Sequence, residues 1–341
     1  MKVNTLGIDL AKNTFQLCGM SKRGQIIFNK KLKRERLVSF VNKLDKASDF
    51  TVAMEACGGA HHVARGLIAQ GWNVKLISAK FVKPFVKSNK NDAKDAEAIA
   101  EAAQRSNMRF VGVKSVGQQD IQAIHRVREG FIKRRTALAN EIRGLLLEYG
   151  TVIPQGIGKL RKSIPVILED GDDGLTVNFR ELLRGLFEEL IRCFEKVEEL
   201  DKKLQIIYRT DENCKRLSKI EGVGVITATA LVAAVGDPSA FKNGRQFSAW
   251  LGLTPKQCST GGKTTLLGIT KRGDSYIRKN LIHGCRAVVF HASGKSDKKS
   301  NWISNKLSSK GVNKTSVAVA NKTARAIWAV LAKEEEYRRA S

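Results

Sequence analysis

Four carboxylates and one serine are the residues of this chain whose settings can do chemistry. Asp9 closes a short apolar run in GIDLAKNTF, Glu55 closes another in MEACGG, and Asp92 and Asp95 stand three apart in KNDAKDAEAIA. Residues three apart share one face at the start of a helix, so acids at two strand ends facing that helix can converge on one point. Such a cluster repels itself unless cations bind it. Divalent metals clamped between carboxylates are the usual machinery for displacement at phosphorus. Mg²⁺ suits an all-oxygen set because it keeps waters for a substrate phosphate. Taken singly, an aspartate in a first helical turn is favoured by the helix dipole anyway, and an acid at a strand end is commonplace. The four in this order, inside a strongly basic chain, point to a metal cluster. His61 and His62 follow Glu55 closely and read as ordinary helix residues.

The serine is Ser259, in the small-residue stretch Cys258-Ser259-Thr260-Gly261-Gly262, followed by the cations Lys263, Lys271, Arg272 and Arg278. A hydroxyl there can attack a phosphodiester while the cations stabilise the transition state. On residues alone, a serine beside glycines is a turn residue, and Thr260 is a rival hydroxyl. A second phosphate site is suggested by Gly222 and Gly224, which allow a tight turn whose free N–H groups open the next helix; a plain helix-to-helix turn is the alternative. Two nucleotide motifs fail. A dinucleotide fingerprint requires glycine at 227, where Thr227 stands, and a P-loop requires one at 257, where Gln257 stands.

The elements that must position these groups fall into blocks. Short apolar runs at Val3–Leu10, Gln25–Lys31, Asp49–Ala56 and Asn73–Ser78 alternate with helical spacing at Arg34–Leu44 and Ala60–Gln70, which predicts an α/β layer with a partly parallel sheet. Residues 92–150 read as helix almost throughout, and Gly150–Gly174, with two prolines and five glycines, as a loop-rich break. Leu183, Leu190, Val197 and Leu204 repeat every seven residues, as do Leu186, Cys193, Leu200 and Ile207. That is the seam of a coiled coil, expected here to join copies of the chain.

With 341 residues the chain has room for two domains, and its 42% hydrophobic content excludes a disordered polyelectrolyte. The net charge of +27 is therefore a property of a folded surface, and its natural partner is a polyanion. Between Lys242 and Lys333, 18 Lys or Arg face two acids, Asp274 and Asp297. Neither a membrane span nor an export signal is visible, which predicts a cytoplasmic protein. The six cysteines are too scattered for a zinc site or disulfide framework and read as reduced, mostly buried thiols.

GIDLAKNTF, MEACGG and NDAKDAEAIA, taken together, resemble the Asp-Glu-Asp-Asp core of a RuvC-like, ribonuclease-H-fold domain. With its last two acids three apart, the core is similar to that of transposases of the insertion sequence 110 family. LSKIEGVGVITATALVAAV resembles that family's helix-hairpin-helix, and FSAWLGLTPKQCSTGGKTTLLGITKRGDSYIRKNLIHG its serine segment, so the likeness runs over about residues 1–335. Ser259 falls where the family's nucleophilic serine sits, ten positions before Ile269; Thr270 replaces the commoner serine in the segment that follows.

The resemblance implies a RuvC-like domain over 1–148, a loop-rich linker over 149–179, a coiled coil over 180–210 and a mainly α-helical C-terminal domain over 211–335. It implies a nucleoid-associated DNA recombinase holding Mg²⁺ on Asp9, Glu55, Asp92 and Asp95. Ser259 would form a covalent phosphoserine, and Gly222, Gly224, Lys263, Lys271, Arg272 and Arg278 would contact nucleic acid. The partners implied are target and donor DNA, a structured bridge RNA, and further copies of the chain completing a composite site. The alternatives are a junction-resolving nuclease that uses the four acids and water, and a non-catalytic nucleic-acid binder.

Overall fold

In the strand Thr5–Leu10 (β1), Leu6 and Ile8 point to one side of a sheet and Gly7 to the other, the period-two alternation of extended backbone. A computed structural model of the protein describes residues 2–46, 48–86, 91–171 and 174–338. It resolves two units, Met1–Val116 and Gly117–Ser341.

The first unit is a mixed sheet with helices on both faces. After β1 come Thr14–Met20 (β2), Ile26–Lys33 (β3), the helix Leu37–Val41 (α1), Thr51–Glu55 (β4), Ala60–Ala69 (α2), Val74–Ile77 (β5), Ala79–Val82 (α3), Asp92–Ala103 (α4) and Phe110–Val111 (β6). The strand order is β3-β2-β1-β4-β5-β6. β1, β4 and β5 run parallel, whereas β2, β3 and β6 pair antiparallel to their neighbours. One face packs Leu6, Ile8, Val52 and Met54 against Ala60, Ala64 and Leu67 of α2. The other packs Ala53 and Ile77 against Ala98, Ile99 and Ala102 of α4. The α/β expectation holds.

Three local expectations change. β2 is a strand that the sequence pattern does not announce, because its last four residues are all buried and alternation is lost; Cys18 and Met20 lie under Ala96 and Ala100 of α4. The stretch 92–150, expected to be helical almost throughout, is divided by the turn after α4 and by β6, whose pairing to β5 extends the sheet. The helix expected over Arg34–Leu44 shrinks to a 3₁₀ turn and five residues of α1.

The second unit contains Val116–Glu148 (α5), Ile157–Glu169 (α6), Val177–Thr210 (α7), Glu212–Ser218 (α8), Val225–Ala234 (α9), Gly244–Trp250 (α10), the strands Pro255–Thr260 (β7) and Lys263–Ile269 (β8), Ser275–Phe290 (α11) and Lys298–Lys333 (α12). Polar side chains cap many of these helices in place of the missing backbone partners. Thr176 accepts from Phe179 N, Asp211 from Cys214 N and Asp274 from Tyr276 N. Gly311, at φ 72°, breaks α12 into two segments. Leu217, Leu231, Phe247, Leu281 and Ile327 anchor one core. No helix among the described residues is long and apolar enough to cross a membrane.

The stretch expected to be loop-rich carries α6, with Pro165 inside it. Leu160 and Ile164, four apart and fully buried, supply the packing that outweighs the proline, which sits on the exposed side. The heptad seam is also reassigned. α7 is continuous, but Leu183, Leu190 and Cys193 pack against Leu138, Ile142 and Leu146 of α5 and Leu160 and Ile164 of α6 in the same chain. Arg128 of α5 and Asp201 of α7 are joined by a side-chain hydrogen bond further along, so the two helices run antiparallel. Leu183, Leu190 and Cys193 are thus covered within the chain itself. Leu190→Asp is therefore expected to place an unpaired charge in this core and cost about 3 kcal/mol or more. A fall of roughly 6–12 °C in the melting temperature is expected; an unchanged melt with dissociated copies would restore the intermolecular seam.

All six cysteines are free thiols; Cys57 is half-buried, Cys258 exposed and the other four buried.

Candidate active-site residues and their placement

Parallel pairing of Ile8 with Met54 brings Asp9 and Glu55, one residue further on, side by side at the ends of adjacent strands. Asp9 lies two residues beyond Gly7, and Glu55 two beyond Ala53, so both carboxylates project to the α4 face of the sheet. The Cys57 thiol stands near both charges. Burial pushes it up first, and the charges of Glu55 and then Asp9 push it further.

α4 is held with its first turn at that same end of the sheet. Asn29 of β3 donates to Ala93 O at 3.4 Å at the start of α4, and past its last turn Gln104 donates to Thr5 Oγ1 and Ser21 O. Gly7 is what admits the helix, since a Cβ there would lie 2.3 Å from Ala96 O. Asn91 caps the helix by accepting from Ala93 N, leaving Asp92 exposed and Asp95 half-buried in the first turn. The fold thus directs all four acids to one end of the sheet. Among the described residues no three His, Cys, Asp or Glu side chains form a closed metal-holding group. The donor set is nevertheless all carboxylate, the chemistry that a hard divalent cation takes.

Ser259 lies on β7, not in a loop. Thr260 pairs with Lys263, and between them Gly261 (φ 55°) and Gly262 (φ 78°) form the two-residue turn that positive φ at both positions makes possible. Ser259 pairs with Thr264 and is exposed, as is nearly every residue of this hairpin. Its Oγ accepts from Gln257 Nε2 at 2.8 Å and lies 3.5 Å from Thr264 Oγ1. Ser259 and Thr260 project from opposite faces of the hairpin, because successive strand residues alternate. One bound phosphate cannot present itself to both.

Two family models match the chain. The DEDD transposase model of the IS110 family covers residues 6–151, and the transposase model of the IS116/IS110/IS902 family covers 214–301. The transposase for insertion sequence element IS1111A of Coxiella burnetii is 45% identical over 98% of this chain and 92% of its own length. A probable family 20 transposase of Pseudomonas aeruginosa is 44% identical over 99% of each chain, and the IS1328 transposase of Yersinia enterocolitica is 38% identical over 96% of each. The chain belongs to the IS110 family of transposases. It is a DNA-cleaving and rejoining enzyme.

In this transposase the four acids lie within the first matched region and Ser259 within the second. The expected phosphate contacts separate on inspection. Gly222 packs on α11, where a Cβ would stand 3.1 Å from the Gly284 carbonyl, and its φ of 86° is the left-handed conformation that favours glycine, so its identity is explained by the backbone without a phosphate. Gly224 caps α9, and a Cβ there would meet nothing within 4 Å, which leaves its backbone open to approach. Lys263, Lys271 and Arg272 are exposed cations beside or below the hairpin. Arg278 is not free in the same way, since it donates to Leu251 O and Gly273 O and ties down the loop that carries Lys271 and Arg272. Gly273 locks that loop further, because a Cβ there would sit 2.1 Å from Trp250 O. The hairpin therefore has a rigid base and an exposed body.

Sequence reasoning missed His125. It is buried on α5 with its two ring nitrogens 3.0 Å from Tyr276 Oη and Thr229 Oγ1. Burial, and then the Arg128 charge, lower its pKa to about 4. A lone histidine in a basic amphipathic helix carries no signal of that network.

Proposed function

We propose that this transposase breaks and rejoins DNA strands through a phosphoserine at Ser259, with Mg²⁺ held by Asp9, Glu55, Asp92 and Asp95, and with its DNA partners chosen by a structured bridge RNA. The observation that carries the covalent reading is the setting of Ser259. The hydroxyl is exposed on a strand, yet its neighbours are Gln257 and Thr264, neither of which can act as its base. A serine is a weak nucleophile at neutral pH and needs a base, a metal or cations to activate it. A divalent ion held by Asp9, Glu55, Asp92 and Asp95 would supply that activation and stabilise charge on the attacked phosphate. Ser259 Oγ then forms its bond to phosphorus as the phosphorus–oxygen bond to the departing sugar breaks. A sugar hydroxyl from another strand reverses the step and rejoins DNA.

The mixed sheet with α2 and α4 on its two faces supports the RuvC-like assignment of the first unit. The resemblance places the acids and the serine of one working site on different copies, so that one chain alone would not hold a complete site. The guide reading rests on the family resemblance and on the 18-to-2 excess of cations over acids between Lys242 and Lys333. Nucleic-acid affinity is expected to fall log-linearly with salt, as release of counterions requires. RNA sequenced from the purified protein should be a single structured species. Protein stripped of that RNA should lose target choice while keeping general affinity for DNA; stripped protein that still preferred one target by orders of magnitude would overturn RNA guidance.

A further inference from the structure

A cleft of about 290 Å³ opens in the second unit between the turn that precedes α9 and the start of α12. Glu221, Lys298, Lys299, Trp302, Lys322 and Tyr337 line it. It lies apart from the β7–β8 hairpin in sequence and shares no residue with it. We propose that this cleft takes up one unpaired nucleotide of a nucleic-acid strand, its phosphate against Lys298 and Lys322 and its base against Trp302 and Tyr337.

The charge balance of the lining is the first support. Its two carboxylates are already engaged: Glu221 accepts from Lys299 Nζ at 2.8 Å, and Asp297 caps α12 by accepting from Lys299 N, Ser300 N and Ser300 Oγ. Among the described residues neither Lys298 nor Lys322 has a carboxylate partner. Lys322 Nζ instead lies 3.9 Å from the centre of the Trp302 ring, with Lys306 Nζ 5.9 Å from the same ring. Burial, and then the nearby charges of Arg325, Lys299 and Lys306, pull the Lys322 pKa down. Cations crowded in this way are relieved by an anion.

The second support is shape and composition. A pocket this size stands at the small end of the roughly 300–1,000 Å³ range of ligand sites, so a duplex cannot enter it and a single nucleotide can. Aromatic rings beside cations are the pair of surfaces that a strand with a free base requires, the ring for the base face and the cation for the phosphate. The long stem of Lys322 lets its ammonium follow the phosphate as a base takes its place on Trp302.

This inference rests on the reading that the chain handles nucleic acid, and the experiment separates the two. Full-length protein is titrated with four probes, an RNA hairpin and a DNA hairpin, each with and without one bulged nucleotide. Lys298 and Lys322 are exposed, so the double variant Lys298→Ala/Lys322→Ala should melt with the parent. It is expected to lose about tenfold affinity for a bulged probe, with the salt slope reduced by about one, while its affinity for the paired probes changes less than twofold. The bulged probe that suffers more, RNA or DNA, identifies the strand. 5-Iodouracil at the bulge should crosslink the parent protein at Trp302 or Tyr337. Equal losses on paired and bulged probes, no loss on either, or a crosslink elsewhere would overturn the cleft. A parent protein that bound none of the four probes would overturn the nucleic-acid reading itself.

Discussion

Ser259→Ala is expected to bind RNA and DNA as the parent does while forming no covalent protein–DNA adduct and no recombinant product. Removing a nucleophile that acts as one unit with its activating groups lowers rates by on the order of 10⁴–10⁶. The substitution removes one exposed oxygen that accepts from Gln257, so the fold should be untouched and the melting temperature unchanged. The measurement is an SDS-resistant complex on labelled DNA, followed by mass spectrometry of the attached peptide. Thr260→Ala should keep most activity, since its hydroxyl leaves the opposite face of the hairpin. An adduct in Ser259→Ala that mapped to Thr260 would move the nucleophile by one residue. Full cleavage with no adduct at any residue would transfer the assignment to a water-using nuclease.

Asp9→Asn is expected to give the same loss by a different route. The substitution keeps the size of the side chain and removes one negative charge from the pair that β1 and β4 hold side by side. Metal-dependent adduct formation should fall by on the order of 10³ or more, since on the proposed mechanism the carboxylates would hold the ion that supplies both activation and charge stabilisation. Excess Mg²⁺ should restore part of this loss and none of the loss in Ser259→Ala. The double variant should be no worse than the poorer single variant, as for residues of one catalytic unit. Normal adduct formation by Asp9→Asn would remove the acidic cluster from the chemistry.

The placement of the four candidate acids was legible in the sequence because it rests on short stretches of chain. A strand that ends in a carboxylate is visible in GIDL and TVAME, and the three-residue spacing of Asp92 and Asp95 fixes their shared face before any tertiary contact forms. What the sequence did not carry was packing between distant segments. The seven-residue repeat of α7 specifies an apolar stripe without saying what covers it, and α5 and α6 of the same chain cover it. Pro165 reads as a helix breaker until Leu160 and Ile164 are seen to bury the opposite face. Arg278 reads as a phosphate ligand because its charge is visible and the carbonyls of Leu251 and Gly273 that occupy it are not. Glycines are equally silent in sequence: Gly7 owes its identity to Ala96 and Ala100 of α4, and Gly222 to a left-handed backbone at φ 86°.

The exposure of the β7–β8 hairpin has a consequence for timing. A two-stranded ribbon with no layer beneath it is only marginally stable in water, and regions with few buried contacts open at low free-energy cost. The locked loop at its base fixes where the arm is attached, but the arm's own order must come from whatever it docks against. Fixing it then draws on the free energy of assembly, as in any segment that orders on binding. Backbone amides of Gln257–Leu267 should accordingly exchange rapidly in the free protein and slowly once its DNA substrate is bound. On the proposed mechanism, a nucleophile mounted this way would be idle until the arm docks, and the energy that arms it would come from assembly with the strands.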